Sequence, residues 1–257
     1  MQIINKRDID FNKLNKLNWS KSTESTLYYD EELFYKMFAD LFLAIRKKKK
    51  LMLLNDGNVI SDVVIPNILI NDGLITSGCA MERIKGARSL YKYKNSDIFM
   101  MLVYLVSLSL KKIHNDPRNI VVGDLHFNNI IVDNKGQHHF IDFDSCMIDG
   151  IAADRLPKNL KYYVFDRGNF KFEVGKDTDR FCLFLSTLGA IFGKDIDYIS
   201  EKEYDEKSEM IYTLKNMRSF FLEVKKNNKG IPDIPYLSEL ISINDFPGVK
   251  KMKVKSY

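Results

Sequence analysis

Cysteine is scarce in this 257-residue chain: Cys79, Cys146 and Cys182 stand far apart and odd in number. That excludes a disulfide framework and points to a reducing compartment. None stands at metal-ligand spacing from another. Long apolar runs are missing too. The longest, Phe99 to Leu110, falls short of the ~20 residues that cross a bilayer and reads as a buried helix. The opening MQIINKRDID lacks the apolar stretch of a signal peptide. No repeat or low-complexity tract interrupts the chain. These absences lead us to expect a soluble, cytoplasmic protein with no membrane partner.

A strong charge bias is also missing. The net charge is +5, and its surplus is terminal: the first fifty residues carry +4, the last seven +3, and residues 101–150 carry −2. No broad basic stripe appears, which points away from a nucleic-acid partner. The run Lys47 to Lys50 reads as a solvated helix face.

What is present is a 45% hydrophobic chain of globular character. Three short strands are predicted over residues 14–38, in LNKLNW, TLYY and LFYKMF, with the polar loop SKSTEST between the first two. A helix follows from Ala39 to Leu54. Strand character returns over residues 59–82, in VVIPNILI and LITSGCAME, with a turn at Asn71-Asp72-Gly73. The strand-rich part ends at Gly86. A helix over 96–114 has Ser96-Asp97 as its cap and Lys111-Lys112 in its last turn. Residues 120–145 read as a loop and then a hairpin turning at Asp133 to Gly136. A buried helix starts near Asp179, and further helices are expected at 200–226 and 234–242. The class is α+β: a small strand-rich lobe over residues 1–84 and a larger helical lobe over residues 85–257, with a cleft between them.

The chemistry concentrates in GDLHFNNIIV and IDFD. Asp124 and Asn129 are five apart at the opening of the hairpin, and Asp142 lies at its far side. A hairpin can bring the three to one edge. Two carboxylates and an amide suit a hard cation that shares its shell with phosphates. Turn formation accounts for Asp133 to Gly136. It does not account for Asp124 and Asp142 among apolar residues, where an unpaired carboxylate is costly.

D-x-x-x-x-N followed by D-F-x resembles the catalytic loop and metal motif of the protein-kinase-like superfamily. GDLHFNNIIV and IDFD are similar to the small-molecule phosphotransferases, such as aminoglycoside and choline kinases. The resemblance implies a two-lobed protein-kinase-like fold, with a small antiparallel-sheet N-lobe and a larger helical C-lobe, binding ATP and Mg²⁺. It makes Asp124 the catalytic base, and gives Asn129, Asp142 and Asp144 to the metal. Lys36, in LFYKMF, becomes the strand lysine that holds phosphates. MERIKG becomes the hinge, with Met81 behind the adenine and the backbone of Glu82 and Ile84 on its edge. Asp179 becomes the aspartate that supports the catalytic loop from beneath. His114 is a packing residue before that loop, His126 lies inside it, and His138 and His139 are strand residues.

Two departures matter. SKSTEST stands where a glycine-rich phosphate loop is usual, and no Glu occurs between Ala39 and Leu54 to pair with Lys36. The expected function is ATP-dependent phosphoryl transfer to a hydroxyl, with protein Ser or Thr preferred as acceptor. The alternatives are a small-molecule kinase and a nucleotide-binding pseudokinase that acts as a scaffold.

Overall fold

The computed structural model describes residues 1–17, 24–57, 60–154 and 175–191. The helices expected at 200–226 and 234–242 and most of the loop SKSTEST lie outside the described residues.

Six strands form the first sheet: β1 (Gln2–Asn5), β2 (Asn15–Leu17), β3 (Ser25–Tyr29), β4 (Leu33–Phe38), β5 (Ile68–Asp72) and β6 (Ile75–Glu82). Their order is β1-β5-β6-β4-β3-β2. β1 runs parallel to β5, and every other pair is antiparallel. β1 was not expected from the sequence: QIIN is too short and too exposed to show alternation. The turn between β5 and β6 falls at Gly73, whose φ of +63° suits a residue without a Cβ.

Alternation along the strands sorts side chains to two faces. On one face Tyr35, Ile68, Ile70 and Ala80 pack with Ile4, Leu14 and Tyr28. The other face carries Leu69 and Cys79, which join a larger core. Helix α1 (Leu41–Asn55) packs against that face and opens on Asp40, whose Oδ1 accepts the Leu43 N–H at 2.8 Å.

The buried stripe of α1 is Leu43, Ala44, Lys47, Lys50, Leu51 and Leu54. This corrects the expectation of a solvated lysine run. Lys49 is exposed and Lys48 half-buried, but Lys47 and Lys50 fall at helical spacing on the apolar face and are fully buried.

Helix α2 (Phe99–His114) supplies Leu102, Val103, Val106, Leu110 and Ile113 to the larger core. Its cap differs from expectation: Ile98 is the N-cap residue, without a side-chain bond, while the Ser96 carbonyl accepts the Phe99 N–H. A second sheet joins β7 (Arg88–Ser89), β8 (Ile130–Val132) and β9 (His138–Phe140) in that order, all antiparallel. β7 lies beyond Gly86, where no strand was expected. The β8–β9 hairpin turns at Asp133 to Gly136 as expected, closed by Gln137, whose carbonyl accepts the Asp133 N–H at 2.9 Å. Helix α3 (Lys176–Ile191) adds Cys182, Leu183 and Ala190 to the core.

The class is therefore mixed α+β. The larger core runs through both halves of the chain, from Leu51, Leu69 and Cys79 to Val106, Phe140 and Leu183. No helix among the described residues is long and apolar enough to cross a membrane.

Candidate functional site

The loop after α2 is held from below by one carboxylate. Asp179 Oδ2 accepts the Val122 N–H at 2.6 Å, and Oδ1 accepts the Gly123 N–H at 2.8 Å. Its Oδ2 also meets His114 Nε2 at 2.8 Å. Asp179 and His114 are both buried. Asp179 sits in the first turn of α3 and serves the loop; the helix opening is closed instead by Thr178, whose Oγ1 accepts the Gly175 N–H at 3.1 Å. Gly123 has φ +83°, so the chain bends sharply just before Asp124.

The loop then ties itself to the hairpin. Asn129 Nδ2 donates to the Asp124 carbonyl at 2.9 Å, and the Asn129 carbonyl accepts the Ile141 N–H at 2.9 Å. Asp124, Asn129 and the residue before Asp142 are thus joined by two hydrogen bonds. Asp142 has φ +64° and ψ +28°, a left-handed conformation that is uncommon for a residue with a Cβ. Asp tolerates this region better than most residues, and Asp62, Asn119 and Asp149 adopt it elsewhere in the fold.

Lys36 of β4 reaches the same place across the sequence. It is buried, and its ammonium pairs with Asp142 and with Asp144, whose Oδ2 lies 2.9 Å away. Burial alone would lower the Lys36 pKa. The charges of Asp144 and Asp142 outweigh it and hold the ammonium above its ordinary value. Asp144 is also fully buried; burial would raise its pKa, but Lys36 and Lys47 bring it well below the usual carboxylate range.

The cation set is larger than the sequence suggested. Lys47 Nζ stands 2.7 Å from Asp144 Oδ2 and donates to Ser145 Oγ at 2.8 Å. It also lies 3.3 Å from Asp154, and Lys50 lies 3.1 Å from the same carboxylate. Arg46 Nε approaches Asp154 at 2.5 Å. Burial pulls the Lys50 pKa down, and Asp154 offsets this only in part. Two groups unforeseen from the sequence, the Lys47/Lys50 pair and Asp154, thus complete the arrangement. The signal for the lysines was their spacing from Leu43, Leu51 and Leu54. Asp154 has no comparable local signal.

The remaining expected residues lie as follows. Met81 is buried in β6 opposite Phe34, and Glu82 is exposed opposite Leu33. The Arg83 N–H bonds the Glu32 carbonyl at 2.8 Å, so alternation turns the backbone groups of Glu82 away from β4. Ile84 follows the strand, half-buried. His126 Nε2 is 3.9 Å from the Asp124 carboxylate.

The fit to a cation is uneven. Asp142 keeps 34% of its side chain exposed, and Asn129 uses its amide nitrogen on Asp124, which leaves its oxygen for a ligand. Asp144 differs from expectation: with both lysines on it and no exposure, it has no open face for a metal ion. Among the described residues, no cluster of three or more His, Cys, Asp or Glu is arranged to hold a metal. A cavity of about 530 Å³ lies elsewhere, on the Tyr35 face of the sheet, lined by Ile4, Ile9, Leu14 and Asp30, and holds none of the expected site residues.

No protein-family model and no curated protein matches the chain.

Proposed function

We propose that this chain is an ATP-dependent phosphotransferase with a two-lobed, protein-kinase-like arrangement, acting on a hydroxyl, with a protein Ser or Thr as the preferred acceptor. The observation that carries the reading is the convergence of Lys36 on Asp142, 106 residues away in sequence, beside the Asp124–Asn129 loop. A buried lysine, the aspartate it pairs with and a tethered loop aspartate have no shared turn or capping role to explain them.

In this reading Asp124 accepts the proton of the attacking hydroxyl and orients it. Lys36 would neutralise phosphate oxygens of the nucleotide. Asn129 and Asp142 hold Mg²⁺, which needs few protein ligands because it shares its shell with phosphates and water. When bound, Mg²⁺ supplies charge neutralisation on the transferring phosphoryl group. Met81 backs the adenine, and Glu82 and Ile84 present backbone groups to its edge. Asp179 fixes the height of the loop and so the position of Asp124.

A second reading has one observation in its favour. Lys36 and Lys47 already neutralise Asp142 and Asp144, an arrangement that also suits a nucleotide-binding scaffold without transfer.

The test is incubation of purified protein with Mg²⁺ and γ-labelled ATP, beside Asp124→Ala and Asp142→Ala. Label should move on the wild type, to itself or to generic protein acceptors, and on neither variant. Label moving to small alcohols or aminoglycosides alone would assign a small-molecule acceptor. Nucleotide binding without transfer under all conditions would leave the scaffold reading. No binding at all would reject both.

A further inference from the structure

α1 carries no acid for Lys36, yet the structure gives Lys36 a buried anchor from the other side of the core. Two carboxylates reach its ammonium, and they differ in kind. Asp142 has a side chain 34% exposed, whereas Asp144 has none of its side chain exposed. Asp144 is gripped from behind by Lys47 at 2.7 Å, and Lys47 is fixed by Ser145 Oγ at 2.8 Å and by Asp154 at 3.3 Å. Arg46 and Lys50, on the same helix, hold Asp154 at 2.5 and 3.1 Å. Every link from Lys47 to Asp154 and Lys50 is fully buried.

We propose that Asp144 and Lys47 form the positioning pair for Lys36, so that α1 acts on Lys36 through a buried acid it grips, not through an acid it carries. The role rests on the phosphotransferase reading above. A lysine tied to Asp142 alone would lose its anchor whenever Asp142 engaged a cation. With Asp144 behind it, the ammonium keeps its place, and Asp142 is free to exchange partners. The polarity of the helix contact is inverted: α1 brings cations, and the segment after β9 brings the acids. Lys47 touches neither nucleotide nor acceptor in this scheme, so it is a positioning residue.

The experiment asks which carboxylate holds Lys36. Wild type, Asp142→Asn, Asp144→Asn, Lys47→Met and the double variant Lys47→Met with Asp144→Asn are treated with a limiting amine-acetylating reagent. Modification of Lys36 is then read by peptide mass mapping, and melting curves establish that each variant is folded. Lys36 should be protected in wild type and in Asp142→Asn, and modified about tenfold faster in Asp144→Asn, as expected for release of a local anchor. The double variant leaves no orphaned charge from this pair, so it keeps the question answerable where the single change does not fold. It should release Lys36 as well. In the same variants, Lys47→Met should raise the KM for Mg-ATP more than it lowers kcat, and Lys47→Arg should recover part of the loss. Release of Lys36 by Asp142→Asn, with protection kept in Asp144→Asn or in the double variant, would overturn the pairing. Wild type that binds no Mg-ATP while Lys36 labels as expected would place the failure in the phosphotransferase reading, not in the anchor.

Discussion

The Lys47 ammonium and the Asp144 carboxylate lie 2.7 Å apart with both side chains fully buried. A buried ion pair gains little over a well-packed apolar pair, because each ion is first taken out of water. Its loss is asymmetric, however: deleting one partner strands the other. The cluster of Lys36, Lys47, Lys50, Asp144 and Asp154 is therefore a place where single substitutions act strongly and paired ones mildly.

Asp154 is the most exposed to this asymmetry, since three cations of α1 converge on it. Asp154→Ala should lower the unfolding free energy by about 3–5 kcal/mol, the range for breaking a buried pair. Urea unfolding measures it. A loss within error of zero would show that Arg46, Lys47 and Lys50 find other partners.

Asp179 accepts two backbone donors and meets His114. Asp179→Ala leaves the buried Val122 and Gly123 N–H groups without an acceptor, at about 1–3 kcal/mol each. Asp179→Asn keeps one oxygen and should lose less. Because the bend before Asp124 depends on these bonds, the proposed phosphoryl transfer should fall further than stability in Asp179→Asn. Equal residual activity in the two variants would detach the loop from this support.

Acid sensitivity should come in two stages. Ser109 donates to Asp62 at 2.7 Å and meets His138 Nε2 at 2.9 Å. Burial lowers the His138 pKa below its ordinary 6.5. The unfolded chain thus binds this proton first, and stability falls as pH drops below 6.5 toward the folded value. Burial would raise the Asp62 pKa, but the Ser109 bond and the His138 charge leave it below 3.8. The stability it contributes is present above 3.8 and disappears as pH falls further. His138→Gln should flatten the first stage and shrink the second to the part that the Ser109 bond carries. Unfolding curves at pH 7, 5.5, 4 and 3 that coincide in shape for both proteins would contradict this.

All three cysteines are buried. Burial pushes the Cys146 thiol up to about 12 and the Cys79 thiol higher. Since the thiolate is the reactive form, both should resist alkylation at pH 8 in the native protein and react fully in denaturant. Timed mass measurement decides it, and rapid native labelling of either would show that the core opens.

Gly78 of β6 lies opposite Met37 in the β4–β6 ladder, one residue from the Lys36–Cys79 pair. A Cβ there would lie 2.6 Å from the Lys36 carbonyl oxygen and 2.8 Å from the Met37 sulfur. Gly78→Ala should cost about 1–3 kcal/mol through overpacking and, by displacing β4, should weaken the proposed nucleotide binding. Unchanged melting would mean that the sheet gives way at that point.

Local pattern made much of this legible. Alternation in LFYKMF and LITSGCAME marked β4 and β6, and the turn residues Asp133 to Gly136 marked the β8–β9 hairpin. The stretches around Asp124 and Asp142 were visible because carboxylates among apolar residues need a reason. What stayed hidden depends on partners far away in sequence. β1 exists only as a neighbour of β5, which is 66 residues on. Lys47 and Lys50 looked solvated because charge outweighed spacing, and it is Asp144, Ser145 and Asp154, with Glu24 3.9 Å from Lys47, that make their burial tolerable. Asp144, expected at the metal, carries Lys36 and Lys47 on its carboxylate, a pairing that sequence distance concealed.

The inverted charge of α1 bears on how the protein comes into being. During synthesis Lys36 and Lys47 emerge about a hundred residues ahead of Asp144 and Ser145. Until those residues arrive, the inner face of α1 is apolar yet studded with unmatched ammonium groups, and docking it on the sheet would strand them. The core shared by the first sheet and α1 therefore has its buried charges fully matched only once residue 154 is in place.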